Sequence, residues 1–183
     1  MPRTPAWLMS LIEEHFEELQ LLWELRLSAI RDADYVAADL RELDERIAAH
    51  LDGLVLSKEH ALPLVIEGLG GSERAVVFAA VLCVLQMQEP AGLEAMWEAL
   101  DAVEGEAVDG FVDAFACLPL GDCESDLQER LEHSSSQVAA VAAAALAGGG
   151  RLPADHPCVA GLVVDNDAAV RRRGWEVVSL LGR

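Results

Sequence analysis

Four valines, Val76, Val108, Val138 and Val170, follow one another at steps of 32, 30 and 32 residues, and each opens the same apolar spacing. With the valine as position 0, positions 0, 3, 4, 7 and 8 read Val76, Ala79, Ala80, Cys83 and Val84 in the first copy. The second reads Val108, Phe111, Val112, Phe115 and Ala116, and the third Val138, Val141, Ala142, Ala145 and Leu146. The last, Val170, Arg173, Gly174, Val177 and Val178, departs only at Arg173. Such spacing is one buried face of a helix, with small residues at position 4 allowing close helix approach. A turn of small or polar residues precedes each copy: Gly70–Ser72, Glu104–Glu106, Ser134–Ser136 and Asp165–Asp167. Before each turn lies another amphipathic segment: Leu62–Leu69, Leu93–Val103, Leu127–Leu131 and Val159–Val164. A unit of helix, tight turn and helix, about 31 residues long, buries its faces only by stacking on its neighbours.

The rest of the chain is helical in another style. Period-2 alternation is scarce and aromatic residues make up only 5%, which argues against strands. Thr4 as N-cap with Pro5 at the first helical position opens a helix. Its apolar stripe runs through Leu8, Leu11, Ile12, Phe16, Leu19, Leu22, Trp23 and Ile30. Asp32–Asp34 breaks it, and a second stripe follows through Val36, Leu40, Leu43, Ile47, Leu51 and Leu54. Two long helices joined by a short turn form an antiparallel hairpin. The expected fold is therefore all-α: an α-solenoid of helical pairs preceded by a long N-terminal hairpin. The hairpin occupies residues 1–56, and four helix pairs packed as one continuous domain occupy 57–183. The helix Ala75–Met87 is apolar all round, since Val77, Phe78, Val81, Leu82 and Leu85 occupy its outward positions. It is expected to pack against the hairpin as well as its neighbouring repeats; a partner-binding patch is the competing reading.

Asp167-Ala168-Ala169-Val170-Arg171 carries an Asp-x-x-x-Val-Arg pattern at the start of the second helix of a pair, while the other three copies keep only the valine. In this the chain resembles HEAT-repeat proteins over roughly residues 58–183. The block Leu40-Arg41-Glu42-Leu43-Asp44-Glu45-Arg46, followed by Ala49-His50-Leu51-Asp52-Gly53-Leu54, is similar to the opening of an uncharacterised bacterial HEAT-like family. That family's genes often lie near type VI secretion loci, and its members are usually longer. The resemblance implies a helical-repeat fold, a partner among type VI secretion components or effectors, and an N-terminal portion or short member of that family.

Charge narrows the partners. The chain carries 32 acidic and 13 basic side chains, a net charge of −19. Residues 1–60 sum to −7, residues 61–133 to −13 and residues 134–183 to +1. A nucleic-acid backbone or an anionic membrane needs a basic footprint, so neither is expected as a partner. With 52% hydrophobic residues the chain is nonetheless expected to be ordered. There is no secretory leader pattern, and the longest apolar run, Ala75–Leu85, is about half a membrane span. Cys83, Cys117, Cys123 and Cys158 form no CxxC pair, so a cytoplasmic protein with reduced thiols is the simplest expectation.

No residue set is predicted to be catalytic, to hold a cofactor or to bind a metal. His15, His50, His60, His133 and His156 are read as capping and surface groups. His156-Pro157-Cys158 and the pair Cys117 and Cys123 match no ligand spacing with partners. Gly148-Gly149-Gly150 follows a helix, as a C-terminal stop does, rather than a phosphate cradle. Asp109 and Asp113 share a face with no cation nearby in sequence, a mildly repulsive arrangement. A solvated acidic face is the plainer reading. Arg171, Arg172 and Arg173 point around about 200° of a helix, too far to form one patch. Arg171 is expected to pair with Asp167, and Arg173 to fall where a following repeat would pack.

These readings favour a non-enzymatic protein-interaction or scaffold module. Its candidate partner-binding residues are Asp109, Asp113, Arg171, Arg172 and Trp175, and its partner is a protein with a cationic contact face. The alternative is an acidic immunity-type protein that neutralises a basic toxin through residues 61–133. A further alternative is an enzyme on a HEAT scaffold, such as a DNA glycosylase or a chromophore lyase; the glycosylase version would need a basic concave face that the charge denies. The last helix, with Val177, Val178 and Leu180 beside Gly182-Arg183, is expected to leave an uncapped end able to pair with a second copy.

Overall fold

A computed structural model describes residues 5–182. Among them are ten α-helices, one 3-10 turn and no strand. In chain order the helices are α1 (Ala6–Ala29), α2 (Ala37–Leu56), α3 (Lys58–Leu69), α4 (Arg74–Met87) and α5 (Pro90–Asp101). They continue as α6 (Ala107–Cys117), α7 (Glu124–Arg130), α8 (Ser136–Gly148), α9 (Pro157–Val163) and α10 (Ala168–Leu181). The protein is all-α. No helix among the described residues is long and apolar enough to cross a membrane. The chain divides into two compact units, Met1–Met96 and Trp97–Arg183, with the division inside α5.

In the first unit, α1 and α2 are the two long helices expected from the apolar stripes, and they pack on each other. Thr4 lies outside the described residues. Pro5 is the residue before the helix rather than its first member: its backbone is extended (φ −58°, ψ 138°), and its carbonyl accepts the N–H groups of Leu8 and Met9. In the turn, Asp32 Oδ1 accepts the N–H of Asp34 at 3.0 Å, an Asx-turn that redirects the chain. Asp39 then reaches back to accept the N–H of Val36 at 2.9 Å, satisfying a donor at the start of α2. Stripe residues Ile12, Phe16, Leu19, Leu22 and Trp23 are buried, as are Leu43, Ile47, Leu51 and Leu54 opposite them. Leu11, Ile30 and Val36 depart from the stripes and face outward.

Helix α4 packs on α1, α2 and α3. Val77, Phe78, Val81 and Leu82 are at most 2% exposed and Leu85 is half-buried, so four of its five outward positions are core. The Phe78 ring stacks on Trp23 of α1 with centroids 3.9 Å apart. At Gly68 of α3 a Cβ would stand 2.8 Å from Phe16 Cζ, so the missing side chain makes room for the Phe16 ring.

In the second unit the central element is α8, which touches α6, α7, α9 and α10. Every residue from Val138 to Ala147 is buried. It is as apolar all round as α4, a likeness that reading a single face of it concealed. Gly150, at φ +67°, ends it: the N–H of Arg151 returns to the Leu146 carbonyl at 2.7 Å, closing a left-handed helix stop. On α10, Gly174 lies so close to α9 that a Cβ would meet Leu162 C at 2.8 Å and Val163 N at 2.9 Å. Here the small residue at position 4 permits backbone contact.

The repeat register holds unevenly. Positions 3 and 7 are buried in all four copies: Ala79, Phe111, Val141 and Arg173, then Cys83, Phe115, Ala145 and Val177. Val76 and Val108 are only half-buried, and Ala116 and Val178 are exposed. In α6 the inward face is Ala107, Gly110, Phe111, Ala114 and Phe115, turned one residue back from the valine register. Val177, expected at an open end, is fully buried, whereas Val178 is 37% exposed.

Candidate functional site

The starts of α6, α8 and α10 come together in the second unit. The chain reaches α6 through Gly105, whose φ of +62° suits a residue without a Cβ. At α10, Asp167 is the N-cap, its Oδ1 accepting the N–H of Ala169 at 2.7 Å. Its other oxygen accepts Gln137 Nε2, from the first turn of α8, at 3.1 Å. These bonds hold the Asp167 carboxyl below the usual carboxylate range, the Ala169 N–H foremost and Gln137 next. One carboxylate thus caps α10 and ties it to α8.

Between these helix starts lies a hollow of about 350 Å³. Val108, Ala140, Ala169 and Val170 give it apolar walls, and Asp109, Gln137, Arg172 and Arg173 its polar groups. Glu106 lies at its edge, while Glu104 and Asp167 line an adjoining polar hollow.

The two arginines meet two carboxylates. Arg172 Nη2 donates to both oxygens of Asp109, at 3.1 and 3.2 Å, and its Nη1 to Glu176 at 3.2 Å. Arg173 donates to the same two carboxylates, Asp109 Oδ1 and Glu176 Oε2. Two guanidiniums and two carboxylates make a locally neutral network that joins α6 to α10. Arg173 is 9% exposed and Arg172 lies outside. An arginine so desolvated is tolerated only with its charge matched. Gln137 Oε1 and Arg173 Nε are buried and make no hydrogen bond among the described residues.

Of the candidate partner-binding residues, the structure brings Asp109 and Arg172 together. The expected repulsion within the Asp109–Asp113 pair is superseded, because Arg172 and Arg173 supply cations from 63 and 64 residues away. Asp113 stays half-buried one turn further along α6. Arg171 does not pair with Asp167 by hydrogen bonding: its Nη1 donates to the carbonyls of Asp165 and Asn166, at 2.6 and 2.9 Å, and so secures the turn before α10. Its charge still contributes weakly to lowering the Asp167 pKa. Trp175 is 60% exposed on α10. Arg173, expected to face a following repeat, is instead held inside this unit.

Among the described residues no group of three or more His, Cys, Asp or Glu side chains could hold a metal ion. His156 is the N-cap of α9, its Nδ1 accepting the Cys158 N–H at 3.3 Å and lying 3.0 Å from Cys158 Sγ. Burial raises the Cys158 thiol pKa. Cys123 is raised too, by burial first and then by Asp126 and Asp122, and Cys83 is pushed up to about 12 by burial. In the first unit the structure makes a contact that the linear reading missed: His15 Nδ1 and His50 Nδ1 lie 3.0 Å apart, with their rings edge-on.

No protein-family model, no curated protein and no solved structure matches this chain.

Proposed function

We propose that the chain is a non-enzymatic protein-interaction module built from HEAT-like helix pairs, α3/α4, α5/α6, α7/α8 and α9/α10. The observation that carries this reading is the hollow at the starts of α6, α8 and α10. Its walls are apolar, and Glu104, Glu106 and Asp167 border it and its polar neighbour. An apolar floor with a few polar groups at its edge suits a side chain inserted by a partner, with the rim setting orientation. Because Asp109 is already matched by two arginines, the carboxylates left to meet a cationic partner are those of the rim. On the resemblance to the HEAT-like family, the partner we propose is a type VI secretion component or effector.

A photo-crosslinking residue at Ala169, beside the hollow, tests the reading against one at Glu13, on the exposed side of α1. Crosslinking of one protein from Ala169 only, lost on Glu104→Lys with Glu106→Lys and weakened by salt, is the expected result. Equal yields from both positions, or indifference to both charge reversal and salt, would refute it. A captured protein that proves to be a basic toxin, inactivated on binding, would favour a neutralising role for the same rim.

A further inference from the structure

His15 projects from α1 and His50 from α2, and their Nδ1 atoms face each other at 3.0 Å. The contact is built into the hairpin. On α2, at Gly53, an added Cβ would stand 2.9 Å from His15 Nε2 and 3.1 Å from both neighbouring ring carbons. A glycine inside a helix costs roughly 1 kcal/mol relative to alanine, and here it leaves the space that the His15 ring fills. Both rings are half-exposed, so small solutes reach them.

We propose that His15 and His50 form a two-histidine clip for a divalent first-row transition-metal ion. The ion joins α1 to α2 through both Nδ1 atoms, and water completes its coordination shell. The spacing suits this. Two nitrogens at adjacent corners of an octahedron, each about 2.1 Å from the ion, lie about 3.0 Å apart. Imidazole is a preferred donor for Ni²⁺, Zn²⁺ and Cu²⁺, whereas Mg²⁺ and Ca²⁺ select oxygen. A ligating imidazole must offer a lone pair, which each ring has at Nδ1 when its proton sits on Nε2. Around His50, Glu18 and Glu14 of α1 favour a cation, and Arg46 of α2 opposes one. No third protein ligand joins the pair among the described residues. This makes the site a clip with open positions rather than a closed structural centre.

The test uses the whole chain, stripped with chelator and held in excess Mg²⁺ so that the acidic surface is occupied by a hard ion. Calorimetric titration with Ni²⁺ and with Zn²⁺ at pH 7.5 is expected to show one equivalent bound. The melting temperature should rise with ion concentration, as it does for any ligand of the folded state. His15→Gln and His50→Gln should each lower affinity at least about tenfold, since removing either nitrogen dissolves the clip. Imidazole ¹⁵N spectra of the unmutated chain give a second readout: the Nδ1 signals of His15 and His50 should move, and those of His60, His133 and His156 should not. Absence of uptake at about 1 mM ion, uptake unchanged in both variants, or spectral changes centred on another histidine would overturn the proposal. The contact would then be a hydrogen bond sharing one proton.

Discussion

Arg173 of α10 and Asp109 of α6, 64 residues apart in sequence, form an ion pair in which the arginine is nine-tenths withdrawn from solvent. Arg172, next in the chain, binds the same carboxylate from outside. The two arginines therefore contribute very differently. Asp109→Ala strips the buried guanidinium of one of its two carboxylates and is expected to destabilise the fold by about 3 kcal/mol. Arg172→Ala is expected to cost under about 1 kcal/mol. Urea unfolding of both variants checks the order, and equal losses would show that Arg173 does not depend on Asp109.

At Gly174 the neighbours of a would-be Cβ are the backbone atoms Leu162 C and Val163 N, which cannot rotate aside. Gly174→Ala should therefore cost roughly 1–3 kcal/mol through overpacking, despite alanine's better helix propensity. At Gly148 an added Cβ would meet nothing within 4 Å. Gly148→Ala is expected to leave the melting temperature almost unchanged, and a larger loss there than at Gly174 would refute the close approach of α10 to α9.

Asp167 has a lowered pKa in the fold, so its capping contribution is present above the ordinary carboxyl value of 3.8 and is lost as pH falls through the lowered value. Asn also caps helices but does not titrate. The stability advantage of the native chain over Asp167→Asn should therefore shrink as the pH is taken from neutral into the acid range below that value. Denaturation midpoints of both proteins across that range provide the check, and a constant difference would contradict the cap assigned to the carboxylate.

Much of the fold is legible along the chain because helical burial repeats at short spacing. The stripes of α1 and α2, and the unbroken apolar surface of α4, each announce themselves within one helix. The run Val138–Ala147 contains no polar residue either, and that signal marks α8 as surrounded. The polar site is harder to see, since the partners of Asp109 come from another helix 63 and 64 positions on. Its one local trace is an arginine at repeat position 3, where the other copies carry Ala79, Phe111 and Val141. A charge at a core position requires a carboxylate from elsewhere. The His15–His50 contact was open to a similar inference. Folding the hairpin back about Asp32 sets residues 15 and 50 opposite each other, a symmetry that counting residue types does not reveal.

The cysteines should separate by accessibility. Cys83 is buried and its pKa is pushed up to about 12, so at pH 8 it should resist a thiol reagent until the chain unfolds. Cys117 is exposed and should react first. Mass spectrometry after brief alkylation, with and without urea, reads the order. Early labelling of Cys83 would show that α4 is not sealed in the core.

Ala140 of α8 forms part of the floor of the hollow at the starts of α6 and α10. Along its buried stretch from Val138 to Ala147, α8 presents mostly methyl groups to its neighbours, and so acts as a gauge for the spacing between them. A longer side chain there would press the surrounding helices apart or fill the cavity from beneath. The width of the hollow is thus set in part from within α8, and a larger residue there would change it while every surface charge stays in place.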